Sequence, residues 1–233
     1  MNKELFIAEL NKLNIKITDK QLSMLEDYYN ILVEENTKYN LTNITEKEQA
    51  YLKHFYDSLT IVKVINLNNQ SLCDIGTGAG FPGLVLKILF PQLEVTLVEA
   101  TEKRCKFLEL VINKLKLSKI KVINERAEIY SKEVREKFDI VTSRAVAPLK
   151  HLLEYSIPLV KVNGNYIAMK GNIEKEIENI ENYYQKLSIK KVKEEHFLLP
   201  IEQSQRTIIL YKKEKNTNKK YPRKYSEIKK REI

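Results

Sequence analysis

The amino-acid sequence predicts an α/β fold: a mostly parallel, doubly wound sheet with an antiparallel pair at one edge, preceded by a helical extension. Three observations carry this expectation. Between about residues 70 and 211, short β-branched runs alternate with amphipathic stretches of helical length, the signature of right-handed β-α-β crossovers. Four of the six glycines crowd into residues 76–83, where the first such run hands over to a helix. The first 69 residues hold neither glycine nor proline and repeat apolar residues at helical spacing.

Taken in order, Leu5, Ala8 and Leu13, then Leu22, Leu25, Tyr29, Leu32 and Val33, predict helices in residues 1–69. Thr18 with Gln21 and Thr45 with Glu48 read as capping boxes. Strands are expected at residues 72–75, 95–98, 120–123, 139–142, 166–169 and 207–211, with a helix over 102–117. Pro82 is placed to open the helix after the first strand, where its missing N–H costs nothing, and Pro91 to stop it. Residues 189–211 hold two strand-like runs with no helix between them, which predicts the antiparallel edge pair. The remaining residues, 212–233, form a polar, lysine-rich tail expected to be mobile. The organisation is therefore 1–69, 70–211 and 212–233.

Composition narrows the function classes. A chain of 233 residues, 43% hydrophobic and 30% charged, can bury a sizeable core and is not disordered. No apolar run approaches the ~20 residues of a membrane helix, and residues 1–13 lack a signal-peptide core, so the expectation is a cytoplasmic protein away from membranes. The two cysteines, Cys73 and Cys105, form no C-x-x-C pair; this argues against a disulfide framework and a cysteine-rich zinc site, and no other metal-ligand cluster is visible. The net charge is +9, and residues 212–233 carry ten basic against three acidic residues. A basic tail on a near-neutral body fits a polyanionic partner such as nucleic acid, or a solvated tail.

The segment Leu72-Cys-Asp-Ile-Gly-Thr-Gly-Ala-Gly-Phe-Pro-Gly83 sits where open α/β sheets bind nucleotides. A structural turn needs one or two glycines; four favour a ligand site. Gly78-x-Gly80-x-x-Gly83 matches the dinucleotide fingerprint, with Glu99 at about the right distance for a ribose contact, so a nicotinamide oxidoreductase is one candidate. Asp74 ahead of the first glycine would repel a pyrophosphate but suits a cationic ligand. S-adenosylmethionine carries a sulfonium and an ammonium and no phosphate, and Asp74 is placed to meet that ammonium through water or backbone. Glu99 ends the second strand, where a carboxylate can accept both ribose hydroxyls. Ala127-Glu128 follows the third, where an N–H and a carboxylate can meet an adenine edge.

These residues resemble a known family. Asp74-Ile-Gly-Thr-Gly-Ala-Gly-Phe-Pro-Gly-Leu84 is similar to the cofactor loop of the small-subunit ribosomal RNA methyltransferase G family, also called glucose-inhibited division protein B. Tyr39-Asn-Leu-Thr42, His54-x-x-Asp-Ser58, Ser143-Arg-Ala145, Lys170-Gly171 and Tyr221-Pro-Arg-Lys224 match it in order across nearly the whole chain. Ala79 stands where proline is frequent and Glu99 where aspartate is common. The resemblance implies a class I S-adenosylmethionine-dependent methyltransferase, Rossmann-like, with a helical N-terminal extension. It implies methylation of ring nitrogen 7 of one guanosine in 16S ribosomal RNA near the decoding region. It places cofactor contacts at Gly76, Gly78, Phe81, Glu99, Ala100, Thr101, Ala127, Glu128 and Arg144.

The chemistry agrees with that expectation. Methyl transfer from a sulfonium is a direct displacement whose main demand is alignment. Guanine nitrogen 7 has a free lone pair, so no general base is required, and none is assigned. His54, His151 and His196 read as packed or surface residues. His54, Asp57 and Ser58 could form a polar cluster, although helix capping by Asp57 or Ser58 is the plainer reading. Both cysteines read as packing residues rather than nucleophiles. RNA contacts are expected from Lys103, Arg104, Lys170, Arg223 and Lys224, with Tyr221 and Tyr225 able to stack on bases. The expected partner is 16S ribosomal RNA within the small subunit or its precursor, bound by a monomer. A non-catalytic RNA-binding or division-associated factor is the third reading.

Overall fold

The computed structural model describes residues 1–144, 146–173 and 176–233. Ala145, part of the Ser143-Arg-Ala145 motif, lies outside the described residues.

The amino-terminal helices form where the apolar periodicity and caps require them. Helix α1 spans Lys3–Lys12 and α2 spans Asp19–Tyr39. Thr18 caps α2 reciprocally with Gln21, as expected. The second expected box does not form: Glu46, not Thr45, caps the next turn, accepting from the N–H groups of Glu48 and Gln49. A carboxylate outcompetes a threonine there because it also complements the helix dipole. That turn, α3 (Lys47–Ala50), runs through a π-helical turn (Tyr51–Tyr56), α4 (Asp57–Leu59) and a 3-10 turn (Thr60–Lys63). π turns are frequent at functional sites, and this one carries His54.

The rest of the chain alternates as anticipated: β1 (Ser71–Ile75), α5 (Gly83–Leu89), β2 (Glu94–Glu99), α6 (Glu102–Lys114), β3 (Ile120–Asn124), α7 (Ala127–Glu133), β4 (Phe138–Arg144), α8 (Leu149–Ser156), β5 (Val160–Lys170), α9 (Glu181–Leu187), β6 (Ile189–Leu198), β7 (Gln205–Lys213) and α10 (Tyr225–Lys230). Pro82 occupies the N-cap of α5, one residue earlier than its expected place inside the helix. The strands form one sheet in the order β3-β2-β1-β4-β5-β7-β6. The first five strands run parallel, and β7 lies antiparallel between β5 and β6. The edge pair is therefore antiparallel within itself, but only β7 reverses direction.

Side chains alternate across this sheet with period two. Leu72, Leu97, Ile167, Ile208 and Leu210 join the core formed with α1, α2, α5 and α6. Their neighbours Cys73, Val98, Ala168, Ile209 and Tyr211 join the opposite core, with α8 and α9. Both cysteines are buried and unpaired. The two additions to the sheet thus take opposite faces: the amino-terminal helices one, the carboxy-terminal tail the other.

The tail does not behave as a free, solvated segment. Tyr221 and Ile228 are buried, and Arg135 donates from its two terminal nitrogens to the carbonyls of Tyr221 and Thr217, each at 2.8 Å. Arg223 forms a paired contact with the fully buried Glu154 of α8, Nε–Oε1 2.9 Å and Nη2–Oε2 2.8 Å. Composition alone concealed this, because Lys and Arg side chains that look solvated were matched to carboxylates far away in sequence. No helix among the described residues is long and apolar enough to cross a membrane.

Candidate active site

At the carboxyl ends of β1, β2 and β4, two cavities of about 460 and 470 Å³ meet at Gly76. One opens toward the amino-terminal helices; the other opens toward the tail. Gly76 holds φ at +63°, and a Cβ there would lie 2.6 Å from Val146 Cγ1, so both backbone conformation and space call for glycine at the junction.

Asp74 organises the loop. Its Oδ2 accepts from Thr77 Oγ1 at 2.6 Å and from the Gly83 N–H at 2.8 Å. Burial pushes its pKa up to about 7, against the opposing pull of those two hydrogen bonds. Its other oxygen, Oδ1, is buried without a protein partner. Asp74 is thus a brace across the turn, buried beneath the loop, rather than a side chain lining either cavity in this structure. The backbone donors of Gly76, Thr77, Gly78, Gly80, Phe81 and Gly83 are spent internally. The N–H groups of Gly76 and Thr77 go to Val98 O; those of Gly80 and Phe81 go to Thr77 O. Gly78 donates to Glu99 Oε2 at 3.0 Å. A dinucleotide pyrophosphate is held by such donors pointing outward; here they point inward, toward a carboxylate and carbonyls. The loop suits a ligand without phosphates.

The tail-side cavity holds the acidic strand ends. Glu99 is buried; besides the Gly78 N–H it accepts the Thr101 N–H at 2.9 Å on Oε1. A carboxylate has about four acceptor positions, so the ribose hydroxyls of a nucleoside can still be accepted. Ala100, Ala127 and Glu128 line the same space, with Glu128 Oε1 held by Arg126 Nε at 2.6 Å. Thr101 stands beside the cavity and supports Glu99. His151 also lines it, and its pKa is lowered mainly by burial.

The helix-side cavity is built jointly by the sheet and the amino-terminal helices. His54 stacks on Phe81, centroids 4.1 Å apart and planes 8° from parallel. Its Nε2 meets Thr42 Oγ1 at 3.0 Å, while its Nδ1 is buried without a protein partner. Burial, aided by the Arg144 charge, lowers its pKa to about 3, so the ring is neutral. Arg144 lies over Phe81 and donates to Lys53 O at 2.7 Å and to Asp57 Oδ2 at 3.3 Å. Arg206 Nε reaches both Asp57 oxygens at 3.1 Å. Asp57 therefore binds two guanidinium groups and caps no helix. Ser58 turns away, donating to His54 O. The polar cluster forms with Asp57 and without Ser58, and neither capping role is seen.

The five cations expected to meet RNA divide. Lys103 and Lys224 are exposed. Arg104 is half-buried in the tail-side cavity, 3.8 Å from Glu99. Lys170 is buried, donating to Ala147 O and pairing with Glu176 at 2.8 Å. Arg223 is committed to Glu154. The buried Glu154 requires such a partner, which turns Arg223 inward, while Lys170 is itself buried against the half-buried Glu176. His196 pairs with Glu194 on the outer strand β6. Among the described residues there is no cluster able to hold a metal ion. Sequence reasoning missed Arg206, Lys53, Arg126 and Lys229 in these walls. Arg206 and Lys229 are brought in by elements distant in sequence, whereas Arg126 and Lys53 stand directly beside the named Ala127 and His54 and went unremarked.

Comparison with known proteins agrees with the fold and the expected family. The chain is 47% identical over 228 residues to the ribosomal RNA small subunit methyltransferase G of Bacillus cytotoxicus, covering 96% of this chain and 95% of that protein. It is 46% identical over 229 residues to the protein of the same name from Lactobacillus helveticus, with 96% and 95% coverage. In structure it resembles M. jannaschii TYW2 in complex with AdoMet, with a TM-score of 0.55, 16% identity, and 67% of this chain and 74% of that one covered. That likeness establishes the shared fold of an S-adenosylmethionine-binding protein. The model of the rRNA small subunit methyltransferase G family matches residues 21–209. With that match and these relatives, the chain belongs to the rRNA small subunit methyltransferase G family.

Proposed function

We propose that this chain transfers the methyl group of S-adenosylmethionine to ring nitrogen 7 of one guanosine in 16S ribosomal RNA near the decoding region, as a cytoplasmic monomer acting on the small subunit or its precursor. One observation carries the cofactor side of this reading: the two cavities joined at Gly76, beneath a loop most of whose backbone donors are spent internally and beside the Glu99 carboxylate. Family membership replaces the nicotinamide and non-catalytic alternatives.

S-adenosylmethionine, when bound, supplies a methyl group on a sulfonium, which a nucleophile displaces directly. The chain's own residues do the rest by position. Glu99 accepts from the ribose, Ala127 N–H and Glu128 face the adenine, and Ala100 and Thr101 shape that end. Gly76 and Gly78 let the ligand cross from one cavity to the other. Phe81 and Arg144 stand at the crossing, where methyl donor and acceptor must align. Guanine nitrogen 7 loses no proton on methylation, so a neutral histidine held at about 3 is consistent with a site that has no general base. His54 and Phe81 form an apolar stacked platform against which a base can be ordered. Arg144 and Arg206, sharing the single carboxylate of Asp57, leave net positive charge at the mouth for RNA phosphates. Lys103, Arg104, Lys170, Arg223 and Lys224 remain the proposed RNA-side cations, with Lys103 and Lys224 the two free to reach a phosphate directly.

The decisive experiment is methyl transfer from labelled S-adenosylmethionine to small ribosomal subunits from a strain lacking this gene, followed by nucleoside analysis. 7-Methylguanosine confined to 16S RNA is the expected product. Label in a different nucleoside, or no label despite cofactor binding, would overturn the acceptor assignment.

A further inference from the structure

The tail-side cavity has a wall that lies beyond the stretch matched by the family model. Tyr225 and Lys229, both on α10, line it together with Glu99 and Glu128, while the match to the family model ends at residue 209. We infer that the carboxy-terminal segment is a structural part of the cofactor pocket and that Tyr225 is a positioning residue for the adenosyl end of S-adenosylmethionine. This rests on the cofactor reading above.

Two independent sets of contacts support it. The first is the anchor. The Arg223 pair with buried Glu154, the Arg135 contacts to the Tyr221 and Thr217 carbonyls and the burial of Tyr221 and Ile228 hold the segment against α8 on both sides of Tyr225. A merely solvated tail would not bury an ion pair. The second is a relay to the adenine end. Arg126 Nε holds Glu128 at 2.6 Å, and the Arg126 guanidinium lies 4.7 Å from the centre of the Tyr225 ring. Lys229 Nζ lies 4.7 Å from the same ring. Tyr225 thus gathers two cations by the attraction of its ring for positive charge, and one of them orients the carboxylate that faces the adenine. Removing the ring frees Arg126, loosens Glu128 and opens the cavity wall together. The segment touches the adenosyl side alone, so the methyl crossing at Phe81 and Arg144 is unaffected.

The test is calorimetry and steady-state kinetics on the full chain. Tyr225→Ala should raise the Kd and KM for S-adenosylmethionine about five- to tenfold, the scale of one aromatic contact, with kcat unchanged. Tyr225→Phe, which keeps the ring, should restore both. A purely structural role would lower the amount of active protein and leave KM where it was. If Tyr225→Ala binds within about twofold of wild type, the inference fails while the cofactor reading stands. If the wild-type chain itself binds no S-adenosylmethionine, the cofactor reading fails and this inference with it. Should Tyr225→Ala not fold, wild-type protein decides the matter through limited trypsin digestion. Saturating S-adenosylmethionine should slow cleavage after Lys224, Lys229 and Lys230, and an unchanged rate would overturn the inference.

Discussion

The two walls of the site invite comparison, because each belongs to a different end of the chain and a different face of the sheet. The amino-terminal wall is locked. Asp57 is buried between Arg144 and Arg206, and His54 is pressed flat on Phe81. The carboxy-terminal wall is fixed at its root by Arg223 and Glu154 and open at its tip, where Tyr225 stays 38% exposed. The difference follows the task. On the proposed acceptor side a large polyanion would be held in one orientation, which favours rigid, charged groups. On the proposed cofactor side a small ligand would enter and leave each cycle, which favours an edge anchored on either side of an exposed ring.

The junction between the walls gives the largest effect. Gly76→Val adds a branched side chain at φ +63° where Val146 already stands 2.6 Å from a Cβ. Cofactor binding by calorimetry should vanish, and retained binding would show that the two cavities are not one site.

Cutting each wall at its buried carboxylate network sharpens the comparison. Asp57→Ala leaves two arginines without their shared partner, and breaking a buried pair costs about 3–5 kcal/mol. For a chain of this size that corresponds to a fall in Tm of roughly 6–20 °C by calorimetry. Arg223→Ala strands Glu154 and should cost at the lower end of that range, about 3 kcal/mol. Its loss should be confined to the tail: hydrogen exchange should rise in residues 214–233 and not around His54. A uniform rise would mean the tail is integral to the whole fold.

Acid separates the walls further. The His54 pKa is depressed from 6.5 to about 3 by burial. Its contribution to stability is therefore complete above the unfolded value and is lost as pH falls from 6.5 toward 3. At about 1.4 kcal/mol per pH unit, wild type should lose roughly 2 kcal/mol between pH 6.5 and 5 that His54→Gln does not. Parallel urea midpoints for the two proteins across that interval would refute the burial argument. The smallest effect is expected at the exposed surface: Lys224→Ala should weaken RNA binding a few-fold and lower the salt slope by about one unit or less, as for one phosphate contact. An unchanged slope would remove Lys224 from the RNA surface.

Much of the architecture was legible because it depends on short-range patterns. The strand runs, the glycine loop and the Thr18–Gln21 cap each concern residues a few positions apart, and each appears where periodicity or capping chemistry requires it. The failures are equally physical. Thr45 lost its cap to the adjacent Glu46 carboxylate, a competition that a motif does not rank. Arg223 read as a solvent-facing cation because its partner Glu154 lies on α8, separated from it by other elements; Lys170 pairs with Glu176, which belongs to no helix or strand whose pattern could have marked it.

By itself, then, the sequence determined the order of strands and helices, the position of the glycine loop and, through motifs arranged in one order, the family. All of these are properties of local spacing or linear succession. Only the tertiary structure decided which charges are free and which are spent, that Asp74 braces the loop from beneath, that Asp57 joins two arginines, and that the basic tail folds back onto the cavity beside Glu99 and Glu128. Those outcomes depend on burial and on pairing across the chain, and the cost of leaving a buried charge unpartnered selects among them only once the fold has brought the candidates together.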